Sequence, residues 1–306
     1  MEHRSLGSLS VSVVGIGCNN FAKRLDQAAT SAVVAAALES GVTFFDTADT
    51  YGDTLSEVFL GRALAGRRDE AVIATKFGMP IDATRFGARP EYVKSACDDS
   101  LARLGTDRID LYQMHYPDDT VPIEDTLGAL AELVTAGKVR EIGCSNLSAD
   151  QLRAAAAAAG DNPAFVSIQN QYSLLARDPE DDGVLDACRD LGVSFLPFYP
   201  LANGLLTGKV RPGEVVPNDS RLAHMPADRR AHWLSDEMRN RVNALVAFAD
   251  EVEIPLLTLA FSWLLAHEEV ASVIAGASNP EQVRANAAAA TTLSADVLAR
   301  LDALTK

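Results

Sequence analysis

The sequence predicts an α/β protein built as a single (β/α)8 TIM barrel, opened by an N-terminal β-hairpin and carrying two extra helices. Three observations lead there. Short apolar, β-rich runs alternate with longer alanine-rich amphipathic segments from end to end, the pattern of repeated β-α units around a parallel sheet. Eight such units can be counted. No Gly/Ser linker or clear internal repeat divides the chain, so residues 1–306 are expected to form one domain, close to the roughly 250 residues of such barrels.

The strands are expected at Val13–Gly17, Thr43–Asp46, Ala71–Lys76, Ile109–His115, Glu141–Ser145, Phe165–Gln169, Ser194–Phe198 and Ala271–Ala275. Their helices are expected at Gln27–Glu39, Ser56–Ala65, Pro90–Arg103, Pro122–Ala136, Ala149–Ala158, Val184–Asp190, Leu257–His267 and Pro280–Ala289. Pro90 and Pro122 suit a first helical turn, and Gly41, Gly105, Gly137 and Gly192 follow helices where a left-handed residue is needed. Outside the eight units lie the hairpin Arg4–Val11, turning at Gly7-Ser8, an extra helix near Ser235–Val252 and a final helix near Ala295–Leu304. A long connection, Tyr199–Leu234, carries several prolines and the charged stretch HMPADRR, and connections of this length usually serve function.

Composition narrows the function classes. At 48% hydrophobic and 23% charged residues the chain has ample material for one large core. With 27 Lys and Arg against 42 Asp and Glu the formal charge is −15, which speaks against nucleic acid or an anionic membrane as partner and for a small molecule. Cys18, Cys97, Cys144 and Cys188 are far apart and form no CxxC pair, so they read as reduced, buried thiols. The remaining histidines, His3, His224, His232 and His267, lack partners at metal-ligand spacing, and no metal is expected. The N-terminal apolar stretch is interrupted by polar residues and glycines, and no apolar run of about 18 residues occurs, so a cytoplasmic location is expected.

In (β/α)8 barrels the chemistry sits at the carboxyl ends of the strands. The second strand ends at Asp46 with Tyr51 in the loop after it, the third ends at Lys76 and the fourth at His115. Any one of these alone reads as structural; four reactive types at successive strand ends read as a site. A lysine ending an apolar strand is costly to bury without an anion, and Asp46 is the nearest candidate. Tyr51 is a proton donor and, as phenolate, a base. Bringing a phenol from a pKa near 10 to about 7 takes roughly 4 kcal/mol of preferential phenolate stabilisation, within reach of a close ammonium such as Lys76. His115 is placed to donate a hydrogen bond to a carbonyl oxygen as hydride arrives at carbon.

The segments FFDTADTYG, ATKFG, DLYQMHYPD and IGCSN occur in the order and at the strand ends seen in the aldo-keto reductase family, which the whole chain resembles. That resemblance implies a catalytic tetrad of Asp46, Tyr51, Lys76 and His115, with Tyr51 the general acid in carbonyl reduction and the base in alcohol oxidation. It also implies nicotinamide-carboxamide ligands at Ser145, Asn146 and Gln169, and an aromatic ring, Phe198, stacked on nicotinamide. Gly17, Cys18 and Asn19 resemble the turn beside the nicotinamide ribose, next to Asp46. The segment YPLANGLLTGK, with Tyr199, Leu201, Gly204 and Lys209, is similar to the stretch that wraps the pyrophosphate. GASNPEQVRAN resembles the adenosine end, with Gly276, Ser278, Gln282 and Asn286 in place. No basic residue occurs in Gly276–Ser278, which leaves Arg284 as the nearby cation for a 2′-phosphate; NADPH is the cofactor expected, with NADH possible.

Two nucleotide motifs are excluded. GIGCNN has Asn20 where the third glycine of GxGxxG belongs, and the P-loop-like segment ending GLLTGKV has Asn203 at the first glycine position and Val210 at the Ser/Thr. The expected function is NAD(P)H-dependent reduction of aldehydes or ketones, with a small-molecule carbonyl as partner. Two alternatives stay open: a cofactor-binding regulatory or redox-sensor subunit, and an NAD-dependent sugar or alcohol dehydrogenase working in the oxidative direction. Phe21, Phe77, Tyr116 and Trp233 are candidate aromatic walls of the substrate pocket.

Overall fold

In the computed structural model, which describes residues 1–209 and 222–306, the chain opens with an antiparallel hairpin, β1 (His3–Leu6) and β2 (Leu9–Ser12). Gly7 takes the turn with φ of 57°, and a Cβ there would fall 2.8 Å from the Glu141 carboxylate. Eight parallel strands follow: β3 (Val14–Gly17), β4 (Phe44–Asp46), β5 (Val72–Phe77), β6 (Ile109–Met114), β7 (Val139–Ser145), β8 (Ser167–Gln171), β9 (Ser194–Phe198) and β10 (Val273–Ala275). They pair in the order β10-β3-β4-β5-β6-β7-β8-β9. The ring is closed by a parallel bridge between Phe195 and Val270, where Phe195 N donates to Glu269 O at 2.6 Å and Ala271 N to Phe195 O at 3.1 Å.

The helices surround this ring. They are α1 (Gln27–Glu39), α2 (Leu55–Ala63), α3 (Pro90–Leu104), α4 (Ile123–Thr135), α5 (Ala149–Ala159), α6 (Asp178–Asp181), α7 (Val184–Leu191), α8 (Ala227–Trp233), α9 (Asp236–Glu251), α10 (Leu256–Leu265), α11 (Pro280–Ala288) and α12 (Ala295–Thr305). Local chemistry sets their ends: Asp26 caps α1 by accepting from Ala29 N at 2.8 Å, Ser148 and Gln151 form a capping box on α5, and Gly105 ends α3 with φ of 63°. Pro122 stands one residue before α4 rather than inside it. In α2, Gly61 lets the helix press against α3, because a Cβ there would lie 2.1 Å from Leu104 O.

The expected barrel, hairpin and two extra helices, α9 and α12, are all present. The short helices α6 and α8 were not expected; both fall in connections where polar and proline-rich sequence hides any apolar period. The long connection after β9 is broken by a 3-10 turn at Ala202–Thr207, another at Leu222–His224, and α8. Its middle, residues 210–221, lies outside the described residues.

The two-residue period of the strands sorts their side chains. Phe44, Ala74, Leu111, Leu196, Ala271 and Ile274 form one buried cluster with Leu6, Leu9 and Val11 of the hairpin, which plugs the amino-terminal end of the barrel. The intervening residues, such as Phe45, Ile73 and Tyr112, join the larger core shared with the helices. Two positions beyond the plugged layer, on the same face, stand Asp46, Lys76 and Gln113. The strand period therefore places a polar layer directly above an apolar one. All four cysteines are free and buried. Among the described residues no helix is long and apolar enough to cross a membrane.

Candidate active site

Asp46 ends β4, and the chain after it is laid against β5: Thr47 N donates to Ala74 O at 2.8 Å and Asp49 N to Lys76 O at 3.1 Å. Tyr51 N then donates to Ala48 O at 3.2 Å, and Ser56 N at the start of α2 donates to Tyr51 O at 3.1 Å. This short bridge between strand and helix brings the Tyr51 ring over Lys76, with Nζ 5.2 Å from the ring centroid.

Lys76 is fully buried. Its Nζ donates to Asp46 Oδ1 at 2.8 Å, Asp46 Oδ2 at 2.7 Å and the Thr47 carbonyl at 2.8 Å. Asp46 Oδ1 also accepts from Gln113 Nε2 at 3.2 Å and Gln169 Nε2 at 2.9 Å. A buried ion pair repays its desolvation only when its remaining sites are satisfied, and here the two glutamines and a backbone carbonyl do so. The ammonium is thus fixed in place with its hydrogen bonds spent on Asp46 and Thr47; what it presents to Tyr51 is charge.

His115 follows β6, its N–H donating to Phe77 O at 2.9 Å. Its ring packs edge-on to Tyr51, centroids 5.9 Å apart, and stacks on Tyr116 at 5.5 Å. Burial, reinforced by the Lys76 charge, pushes the imidazole pKa down to about 3. The ring is therefore neutral throughout the physiological range. Its Nδ1 is buried without a hydrogen-bond partner among the described residues, while the residue itself lines a cavity.

These groups open into a cavity of about 660 Å³, within the range of small-molecule and cofactor sites. Of the residues singled out from sequence, Asp46, Tyr51, His115, Gly17, Asn19, Ser145, Asn146, Gln169, Phe198, Tyr199, Leu201, Gly204, Lys209, Gly276, Ser278, Gln282 and Asn286 line it. Lys76 stands behind Asp46 and Tyr51. Two others lie off the wall. Cys18 is fully buried, its amide on Asp46 O and its carbonyl accepting from Ser56 Oγ. Arg284, on α11, is not part of the wall, although its guanidinium lies 3.8 Å from Glu281, which is. Of the aromatic candidates only Tyr116 reaches the cavity; Phe21 and Phe77 are fully buried and Trp233 packs on the core.

The far walls of the cavity are lined by amide, hydroxyl and cationic groups. Ser145 Oγ donates to Gln169 O at 2.6 Å, and Asn146, held left-handed at φ of 61°, donates to His115 O at 2.9 Å, so this amide and hydroxyl group is tied to the backbone of His115. After β9 the backbone turns through left-handed conformations at Tyr199, Ala202, Asn203 and Gly204, beside the basic Lys209. Such twisted backbone forms concave anion sites. Asn279 caps α11, accepting from Gln282 N at 2.9 Å, and the amino end of that helix faces the cavity. The buried amide oxygens of Asn19 and Asn203 have no partner among the described residues. Unpaired buried amides, a cation and a helix amino end match the hydroxyls and phosphates of a dinucleotide.

Gln113, Asn20, Arg24 and Asn203 were not expected in the site, although Asn20 and Asn203 stand out in the sequence as motif-breaking residues and Gln113 stands two residues before His115 on the same face of a strand. Among the described residues no group of three or more His, Cys, Asp or Glu is arranged to hold a metal.

Comparison with known proteins gives a consistent picture. The family model described as the Aldo/keto reductase family matches residues 13–306. A curated relative, a probable aldo-keto reductase 1 of Glycine max, is 34% identical over 284 residues, 90% of this chain and 80% of the relative. An aldo-keto reductase from Bacillus halodurans, solved in its holo form, is similar at a TM-score of 0.83 and 33% identity, over 100% of this chain and 97% of that chain.

Proposed function

The chain belongs to the aldo/keto reductase family, and from that premise we propose that it reduces aldehydes or ketones to alcohols with NADPH, Tyr51 giving the proton. The observation that carries this reading is the buried Lys76 ammonium, fixed by Asp46 and Thr47 and lying 5.2 Å from the Tyr51 ring.

A reduced nicotinamide, when bound, supplies the hydride. Ser145, Asn146, Gln169 and Phe198 are the residues to hold its ring, the 199–209 segment its pyrophosphate, and Ser278, Gln282 and Asn286 its adenosine end. As hydride reaches the carbonyl carbon, negative charge collects on oxygen. His115, neutral and with an N–H to give, orients that oxygen and stabilises its charge. Tyr51 transfers its phenolic proton to the oxygen, and the O–H bond of the phenol breaks as that of the alcohol forms. The phenolate left behind is stabilised by Lys76, and Asp46 keeps the ammonium from swinging away. Reversal of the same transfers oxidises an alcohol, with the Tyr51 phenolate as base.

The preference for NADPH rests on Arg284, the only cation on α11, which must leave Glu281 to meet a 2′-phosphate. Steady-state NADPH oxidation with a panel of aldehydes tests the whole reading. Turnover supports the reductase; tight cofactor binding without turnover on any aldehyde replaces it with a sensor.

A further inference from the structure

Between Asp46 and Tyr51 lies a second carboxyl group to which the reaction above gives no task. Asp49 is fully buried, and apart from a weak pull from the Thr50 amide neither of its oxygens has a hydrogen-bond partner among the described residues. The elements packed on it bring ionisable neighbours from every side: Glu57 on α2, Tyr92 and Arg103 on α3, Tyr112 on β6 and Lys76 on β5. None of them neutralises it. Arg103 Nε donates to Glu57 Oε2 at 2.6 Å and its Nη2 to Ser100 Oγ at 3.1 Å, while Thr75 Oγ1 donates to Glu57 Oε1 at 2.5 Å. Lys76 spends its donors on Asp46 and Thr47. The Tyr112 hydroxyl donates to Val93 O at 3.3 Å, and that of Tyr92 has no partner among the described residues.

An ionised carboxylate cannot be kept cheaply in such a place. We infer that Asp49 carries its proton in the working enzyme, and that this proton keeps the Asp46–Lys76 pair beside Tyr51 at zero net charge, where an ionised Asp49 would make the group net negative. Were Asp49 ionised, two carboxylates, Asp46 and Asp49, would share one ammonium beside the phenol. Burial first, and the Glu57 charge second, raise the Asp49 carboxyl to about 7, against the opposing pull of Arg103, the Thr50 amide and Lys76. Asp49 is thus neutral below that pH and becomes a buried anion above it. Its negative charge then opposes formation of the Tyr51 phenolate. It is a positioning residue: it acts on the reaction only through Lys76 and Tyr51, to which it is tied by its amide on Lys76 O and by two residues of chain.

The inference rests on Tyr51 as the proton-transferring group, and its test separates the two. In the full-length protein and in Asp49→Asn, kcat for oxidation of an alcohol by NADP+ is followed from about pH 6 to about pH 9, and the infrared spectrum of the protein alone is titrated over the same range. The neutral amide removes the charge that wild type acquires, so the midpoint of the acidic limb, where the rate rises as Tyr51 loses its proton, moves to lower pH in Asp49→Asn. The displacement is on the order of one pH unit, as for a unit charge roughly 10 Å away at an effective dielectric of about 20. The wild-type spectrum shows a protonated-carboxyl band that fades near pH 7 and is missing from Asp49→Asn. Superimposable pH profiles, a uniform loss of kcat at every pH, or a missing band would each overturn the inference. Failure of the Tyr51 assignment reads differently: Tyr51→Phe would keep its turnover while the Asp49 band still titrates.

Discussion

The two ends of the barrel bury charge in opposite ways. At the amino-terminal end Asp110 is almost fully buried and every site on it is taken: Arg68 at 2.6 Å, Arg140 at 3.0 Å and the Ile73 amide at 2.9 Å. Arg4 from the hairpin caps the carbonyls of Leu265, His267 and Val270, and Leu6, Leu9 and Val11 fill the space beneath. At the carboxyl-terminal end the Asp46–Lys76 pair is as well satisfied, but it is surrounded by groups that are not: His115 Nδ1, the amide oxygens of Asn19 and Asn203, and both oxygens of Asp49. The amino-terminal end pairs its buried charges and leaves only hydroxyls, such as Thr43 Oγ1 and Ser272 Oγ, without partners; the other end leaves a carboxyl group, an imidazole nitrogen and amide oxygens unpaired among the described residues. An ion pair alone does not mark a reacting centre, whereas an ion pair set among unpaired polar groups in a cavity does.

That contrast can be broken by removing a charge from each end. Lys76→Met should lower kcat by about 100-fold or more, because the phenolate loses its cation, and by leaving Asp46 buried without one should cost about 3–5 kcal/mol of stability. Asp110→Ala should cost about 3 kcal/mol in denaturant unfolding, since it strands the Ile73 amide and takes the counter-ion from Arg68, yet leave kcat within about 2-fold. A large loss of kcat in Asp110→Ala, with its stability intact, would erase the distinction. The smallest effect is expected from Arg284→Ala. Measured as Kd by fluorescence titration, it should weaken NADPH by about 3- to 10-fold and NADH hardly at all, the size of one exposed charge-assisted contact of about 1 kcal/mol. Equal effects on the two nucleotides would remove Arg284 from the site.

The ease of reading the sequence followed the same division. The barrel was legible because β-rich and amphipathic segments alternate along the whole chain, and Asp46, Lys76 and His115 were legible because strand ends in such a barrel converge on one mouth. Two residues within a strand keep to one face by geometry, so Phe44 beneath Asp46 and Ala74 beneath Lys76 need no tertiary information. Helix and loop residues do not share that certainty. Which side of α11 Arg284 faces depends on how the helix is rotated against α1, and only packing settles that. Phe21 and Phe77 sit next to the site in sequence, yet their rings turn into the core because apolar area is worth more there than in a wet cavity. Asp49 was hidden for a third reason. Inside FFDTADTYG it looks like one more loop acid, and only its buried, partnerless oxygens make it unusual.

The proposed reaction depends on the proton that Tyr51 gives to the carbonyl oxygen. The direct measurement is Tyr51→Phe, followed on one preparation by cofactor titration and by single-turnover reduction of an aldehyde. The variant should bind NADPH with a Kd within about 3-fold of wild type and lose about 100- to 10,000-fold in the rate of reduction, the range of one positioned general acid. A variant that binds NADPH normally and reduces the aldehyde at the wild-type rate would contradict it.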